Sequence, residues 1–188
     1  MIIRYDGKHG REAFGTLLDA LAVERYSIQA TMHRENSHAV GSGVFENSGE
    51  SEHANAAVVR NHNQLGGAEY FALLRRTKLF VGMGDPIDGL AAVEALAAGC
   101  VVLLPRFSPP RKLHRKPIKR RWSSQHPTLE AIGAPHVFVV DYDDATALAE
   151  TLTKVRSAQA SRLVVEAFAP SGFYRRVETL LAADFCTT

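Results

Sequence analysis

The chain has 188 residues, of which 46% are hydrophobic, and a formal net charge of +2. That length supports one domain able to bury about 70% of its unfolded surface, and no apolar run reaches the length that spans a bilayer. Two cysteines, Cys100 and Cys186, are too few for a disulfide scaffold and lack metal-ligand spacing, so they form one pair or remain two buried thiols.

Ile2 to Tyr5 is expected as a strand, Gly7-Lys8 as a turn, and Arg11 to Glu24 as a helix. In that helix Phe14, Leu17, Leu18 and Leu21 recur at three- and four-residue spacing. No secretory signal is read at the start, because Met1-Ile2-Ile3 leads directly into polar residues. Tyr26 to Met32 returns as a strand. Residues 33–55 are rich in Ser, Gly, Asn and His, with only Val40, Val44 and Phe45 to bury, and read as a mobile loop or a piece whose packing partner is missing. Ala56 to Arg60 is a strand and Asn61 to Gly67 a turn. Ala68 to Thr77 is a helix with Tyr70, Leu73, Leu74 and Thr77 along one face.

The stretch from Lys78 to Cys100 organises the rest. A short apolar strand, Lys78 to Val81, runs into a turn bearing Gly82, Gly84 and Gly89, and a helix from Leu90 to Ala98 stops at Gly99. In open α/β sheets ligands gather where a strand's carboxyl end turns into a helix, because the first helical N–H groups favour negative charge. A phosphate-bearing ligand is the first expectation. Glu94, one turn inside the helix, either accepts hydrogen bonds from a sugar hydroxyl beside that phosphate or is a solvated helix residue. The dinucleotide fingerprint fails, since the glycine after Gly84 comes at Gly89 and not three residues on, and no Walker lysine follows. Lys8, at the same sheet end, either neutralises a diphosphate or is a solvated turn lysine.

Val101 to Leu104 is the next strand. Eight of the 22 Lys/Arg fall between Arg106 and Arg121, leaving 14 bases against 20 acids elsewhere. Pro105, Pro109, Pro110 and Pro117 exclude a regular helix, so residues 105–127 read as a basic, proline-rich loop on an extended, irregular path. Nucleic-acid binding through this loop is disfavoured, because Phe107 and Trp122 lie near its ends with no aromatic interleaving to stack bases. His126, in Ser123-Ser124-Gln125-His126-Pro127, either lines a pocket or makes a structural hydrogen bond. Val137 to Val140 is a strand, Asp143 to Ala158 a helix with Leu148, Leu152 and Val155 inward, and Gly172 to Asp184 a last helix with Phe173, Val177, Leu180 and Leu181 on one side. No GxSxG elbow, HExxH or CxxC occurs, which removes the usual support for hydrolase and metalloenzyme readings. Strands alternating with helices predict an α/β fold with a doubly wound parallel sheet, one domain over residues 1–188.

The run GAEYFALLRRTKLFVGMGDPIDGLAAVEALAAGC resembles the donor half of glycosyltransferase family 18, the alpha-1,6-mannosylglycoprotein 6-beta-N-acetylglucosaminyltransferases. The likeness continues through Leu104-Pro105-Arg106-Phe107-Ser108-Pro109-Pro110, Lys116-Pro117, Ser124-Gln125-His126-Pro127, Pro135-His136-Val137, Val140-Asp141-Tyr142 and Asp184-Phe185-Cys186. The resemblance implies the Rossmann-like C-terminal half of a GT-B enzyme that binds UDP-N-acetylglucosamine without a metal or other cofactor. It further implies transfer in β1,6 linkage, with inversion, to the α1,6-arm mannose of an N-glycan in the Golgi lumen. By that resemblance Glu94 takes the ribose hydroxyls, Gly84 and the Asp88-Gly89 turn face the diphosphate and sugar, Lys8 approaches the phosphates, and His62 to Leu65 border the uracil. The resemblance puts acceptor contacts and the general base in an N-terminal half, and no catalytic residue is assigned in this chain. Asp85, Leu90 and Ala92 replace a phenylalanine and two prolines of the family's turn. The alternative reading is a binding module that keeps the pocket without turnover.

Overall fold

A computed structural model describes residues 2–3, 16–17, 20–21, 28–30, 59–61, 65–84, 86–112 and 121–183. The elements in chain order are β1 (Ile2–Ile3), β2 (Ile28–Ala30), β3 (Val59–Asn61), α1 (Gly67–Leu74), β4 (Leu79–Val81), α2 (Leu90–Ala98), β5 (Val101–Lys112), β6 (Arg121–Ser124), α3 (Pro127–Glu130), β7 (Val137–Val140), α4 (Ala145–Ser157) and α5 (Pro170–Ala182). A single 3-10 turn at Glu166–Phe168 precedes α5. The fold is mixed α/β, as expected, with an open and mostly parallel sheet compatible with a Rossmann-like arrangement. The expected strands and helices reappear with ends shifted by a few residues where they are described. The 33–55 loop lies outside the described residues.

Strand β1 pairs in parallel with both β2 and β4, β2 with β3, β4 with β5, and β5 with β7. The chain therefore builds outward from β1 in one direction through β2 and β3, then in the other through β4, β5 and β7. The order reverses between β1 and β4. In such sheets the loops leaving two strands at a reversal diverge and open a crevice beyond the carboxyl ends.

The core explains why β4 and β5 read as uninterrupted apolar runs. Successive side chains of a strand point to opposite faces, and here both faces are covered. Leu79, Val81, Val101 and Leu103 pack with Leu17, Leu21 and the α4 residues Leu148, Leu152 and Val155. Phe80, Val102 and Leu104 pack with Leu73 and Leu74 of α1, Ala92, Ala95 and Leu96 of α2, and Leu129 of α3. Each fully buried leucine contributes about 1.5–3 kcal/mol. Helix ends follow local chemistry: Asp144 accepts the Ala147 amide at 2.9 Å as the α4 cap, and Gly99, at φ 99°, ends α2 in the left-handed region. Cys100 is a free, buried thiol whose Sγ donates to the Leu74 carbonyl at 3.3 Å. Burial pushes it up to about 11.

One expectation needs correction. Residues 105–127 are not a loop throughout: β5 runs on to Lys112, and β6 returns antiparallel to it, with a register shift between Arg106 and Arg111. Proline excludes helix but its fixed φ suits extended backbone, and this outer part of the sheet tolerates the missing N–H at a bulge. The short helix α3 at Pro127–Glu130 was also hidden by that reading. On α5, the side carrying Phe173, Leu180 and Leu181 faces outward and is more than half exposed, while Gly172 is the buried position.

Candidate functional site

The turn from Gly82 to Gly89 leaves the carboxyl end of β4, beside the reversal at β1. Beyond Leu103, the parallel partner of Val81, strand β5 continues from Leu104 to Lys112 and overhangs the same end of the sheet. The ordering of the turn comes from three neighbours. Tyr142, just after β7, shares its single O–H between the carbonyls of Gly82 at 2.9 Å and Leu103 at 3.2 Å. Burial holds that phenol well above its ordinary range, so it stays a donor.

Gln125 makes the second and broadest set of contacts. Its Oε1 accepts the Gly84 amide at 3.0 Å, its Nε2 donates to the Pro86 carbonyl at 3.3 Å, and its own carbonyl accepts the Asp88 amide at 2.9 Å. Its amide donates to Pro105 at 3.2 Å, which ties the turn to β5. Gly84 is buried at φ 93°, a left-handed conformation that favours glycine. Asp88 holds φ 55° despite its side chain, in a region where Asp is less penalised than most residues.

His126 is the third. It caps α3 with Pro127 in the first turn, while Ser124 Oγ donates to Glu130 at 2.6 Å and Arg106 pairs with Glu130 at 3.1 Å, fixing this corner. The imidazole is 1% exposed and packs edge-to-face on Phe168, with centroids 5.8 Å apart. Nδ1 lies 3.1 Å from Asp88 Oδ1, yet neither ring nitrogen completes a hydrogen bond with a protein group. Burial lowers the imidazole below its ordinary 6.5, outweighing the opposing pull of Asp88, so the ring is neutral at pH 7. The close approach to Asp88 is thus a polar contact, not an ion pair.

Gly82, Met83, Pro86, Gly89, Ala91, Gln125 and His126 surround a small cavity of about 20 Å³, enough for about one water-sized group. Gly89 is the N-cap of α2 and carries no side chain to cap the first turn, so the helix-start dipole is turned toward this niche. Glu94 is half-buried, one turn beyond Ala91, which lines the niche. Glu94 itself is not among the residues that line the niche. Of the other candidates, Leu65 packs against the core beside α1 and does not line the niche. Lys8, His62 and Asp85 lie outside the described residues, as does Cys186. Among the described residues, no group of three or more His, Cys, Asp or Glu is placed to hold a metal. None of the described helices is long and apolar enough to cross a membrane.

Comparison with known proteins decides the family. The profile described as Glycosyltransferase family 18 matches residues 26–188. The chain belongs to glycosyltransferase family 18. It is similar to alpha-1,6-mannosylglycoprotein 6-beta-N-acetylglucosaminyltransferase A of Cricetulus griseus, 36% identical over 138 residues, covering 69% of this chain and 19% of the relative. The B enzyme of Mus musculus matches at 36% over 138 residues, 69% of this chain and 17% of the relative. The Caenorhabditis elegans enzyme matches at 36% over 129 residues, 65% of this chain and 19% of the relative. This chain thus spans less than a fifth of the length of these curated relatives.

In this family 18 chain, sequence reasoning missed Gln125 and Tyr142 as the residues that shape the glycine turn. Each stands inside a motif already singled out, Ser124-Gln125-His126-Pro127 and Val140-Asp141-Tyr142. Tyr142, two residues past the apolar strand β7 at the sheet end where a ligand is expected, carries a signal that could have found it, whereas Gln125 follows the polar strand β6 and carries none.

Proposed function

We propose that this chain is the UDP-N-acetylglucosamine-binding half of a GT-B glycosyltransferase, a doubly wound, Rossmann-like domain. In this reading it works with an N-terminal half that binds acceptor and supplies the general base. The observation that carries the reading is the convergence at the mouth of β4. The uncapped start of α2, the glycine turn and the buried, unpartnered His126 meet around one niche.

The chemistry follows from that arrangement. The start of α2 would stabilise negative charge growing on the departing UDP, since oriented amides cost no reorganisation at the moment of bond breaking. Glu94 would hold the ribose hydroxyls. Gly84 and the Asp88-Gly89 turn would face diphosphate and sugar, Lys8 the phosphates, and His62 and Leu65 the uracil. Neutral His126 would give the donor sugar or phosphate an N–H or accept one, without bringing a second charge. The reading includes no metal or other cofactor. The transfer itself, inverting and β1,6 to the α1,6-arm mannose of an N-glycan, belongs to the proposed whole enzyme in the Golgi lumen.

Calorimetry of the full chain with UDP-N-acetylglucosamine, beside UDP and adenosine diphosphate, tests the donor assignment. Saturable binding of both uridine ligands with at least ten-fold weaker binding of the adenine nucleotide supports it. Equal affinity for all three, or no binding, removes it. A chain that binds the donor yet yields no transfer product when an N-terminal half is supplied supports the non-catalytic alternative.

A further inference from the structure

Arg111 lies on the overhanging part of β5, at the point where β5 resumes its pairing with β6 opposite Trp122 after the register shift. Its guanidinium carbon sits 4.3 Å above the centroid of Phe107, a ring that is 5% exposed. Its Nη1 is 3.1 Å from where a Cβ on Gly84 would stand, and the edge of the Phe107 ring is 3.6 Å from the same point. The cation therefore lies close against the glycine turn, at the sheet end that carries the helix start and His126. Arg106, on the same strand, is paired with Glu130. Arg111 enters none of the ion pairs among the described residues, and it remains exposed.

A guanidinium stacked on a ring has already lost much of its rotamer freedom, keeps its edge donors free, and matches a phosphate with two parallel N–H bonds. Glycine at position 84 lets it approach the backbone this closely, and Arg111 stands just beyond the register shift in β5.

We propose that Arg111 is the anion-recognition residue of this site, delivered by the β5–β6 hairpin to the diphosphate of the bound nucleotide. The proposal rests on the donor-site reading above and adds a residue and a hairpin that the reading does not use. It makes the basic hairpin a wall of the nucleotide site, in place of a nucleic-acid surface.

The test uses the full chain and its Arg111→Gln, Arg111→Lys and Arg121→Gln variants, with calorimetric titration of UDP and NMR titration of uridine. Arg111→Gln should weaken UDP about ten- to a hundred-fold, on the scale of hydrogen bonds to a charged group, and leave uridine unchanged within two-fold. Arg111→Lys, which keeps the charge but not the stacked fork, should fall between. Arg121→Gln removes a charge from the same hairpin without the Phe107 seat and should change UDP binding less than three-fold. Equal loss in Arg111→Gln and Arg121→Gln, or equal loss of UDP and uridine, overturns the proposal. If the wild-type chain binds UDP and Arg111→Gln binds it as tightly, Arg111 alone is removed; if the wild-type chain does not bind UDP, the donor-site reading falls with it. Should Arg111→Gln fail to fold, Arg111→Lys carries the same comparison.

Discussion

The Gly84 amide donates to Gln125 Oε1 at 3.0 Å, across 41 positions of sequence. That bond lets a residue after β6 set the shape of a turn after β4. The turn expected to receive a phosphate is thus ordered by a side chain from elsewhere in the fold, and its conformation depends on that partner.

Gln125→Ala should destabilise the chain by about 1–3 kcal/mol, because it strands the buried Gly84 amide and the Pro86 carbonyl at once. Urea unfolding measures the loss. A change under 0.5 kcal/mol would mean that water replaces the side chain at no cost and that Gln125 does not shape the turn.

Gly84→Ala should cost about 1–2 kcal/mol for the left-handed conformation alone. The new methyl also meets Arg111 Nη1 at 3.1 Å, so the guanidinium must shift. A melting temperature several degrees lower, together with weaker UDP binding, is the expected result. An unchanged melt would show that the backbone relaxes out of its positive φ.

His126 gives a pH dependence with a defined sign. Its folded value is lowered from 6.5 by burial, so the unfolded chain takes up a proton first as pH falls. Its contribution is constant above about pH 7 and turns destabilising as pH drops below about 6.5 toward the lowered folded value. His126→Gln should flatten the stability profile between pH 7 and 5, read by urea midpoints. Identical profiles for both chains would contradict the buried neutral imidazole.

Cys100 offers a check on the core. With its thiol pushed up to about 11 and buried, it should resist iodoacetamide at pH 8 in a Cys186→Ser chain, and react within minutes once unfolded. Rapid labelling of the native chain would mean that the packing around α1 and α2 opens readily.

The parts of the fold legible in the sequence are those set by local periodicity. Leu148, Leu152 and Val155 announced the buried side of α4, and Leu79–Val81 with Gly99 framed the central strand and its helix. The β5–β6 hairpin was not legible, because Pro105, Pro109 and Pro110 speak against helix but cannot report whether a partner strand lies alongside. Antiparallel pairing is a long-range property, and Arg121–Ser124 carries no alternating apolar pattern of its own. The site shows the same division. Gly84 and Gly89 were singled out by strand-turn-helix logic and Asp88 by the family resemblance, whereas Gln125, Tyr142 and Arg111 reach the turn through tertiary packing that spacing does not encode. Phe173, Leu180 and Leu181 illustrate the converse: a clear helical stripe fixes which residues share a side, not whether that side is covered.

The central claim is that UDP is held at the mouth of β4 with its ribose on Glu94. Calorimetric titration of the full chain and its Glu94→Ala variant with UDP tests it most directly. Saturable binding that weakens by about 1.5–3 kcal/mol, or roughly ten- to a hundred-fold, in the variant is the predicted result. Indistinguishable affinities, or no binding by the wild-type chain, would contradict it.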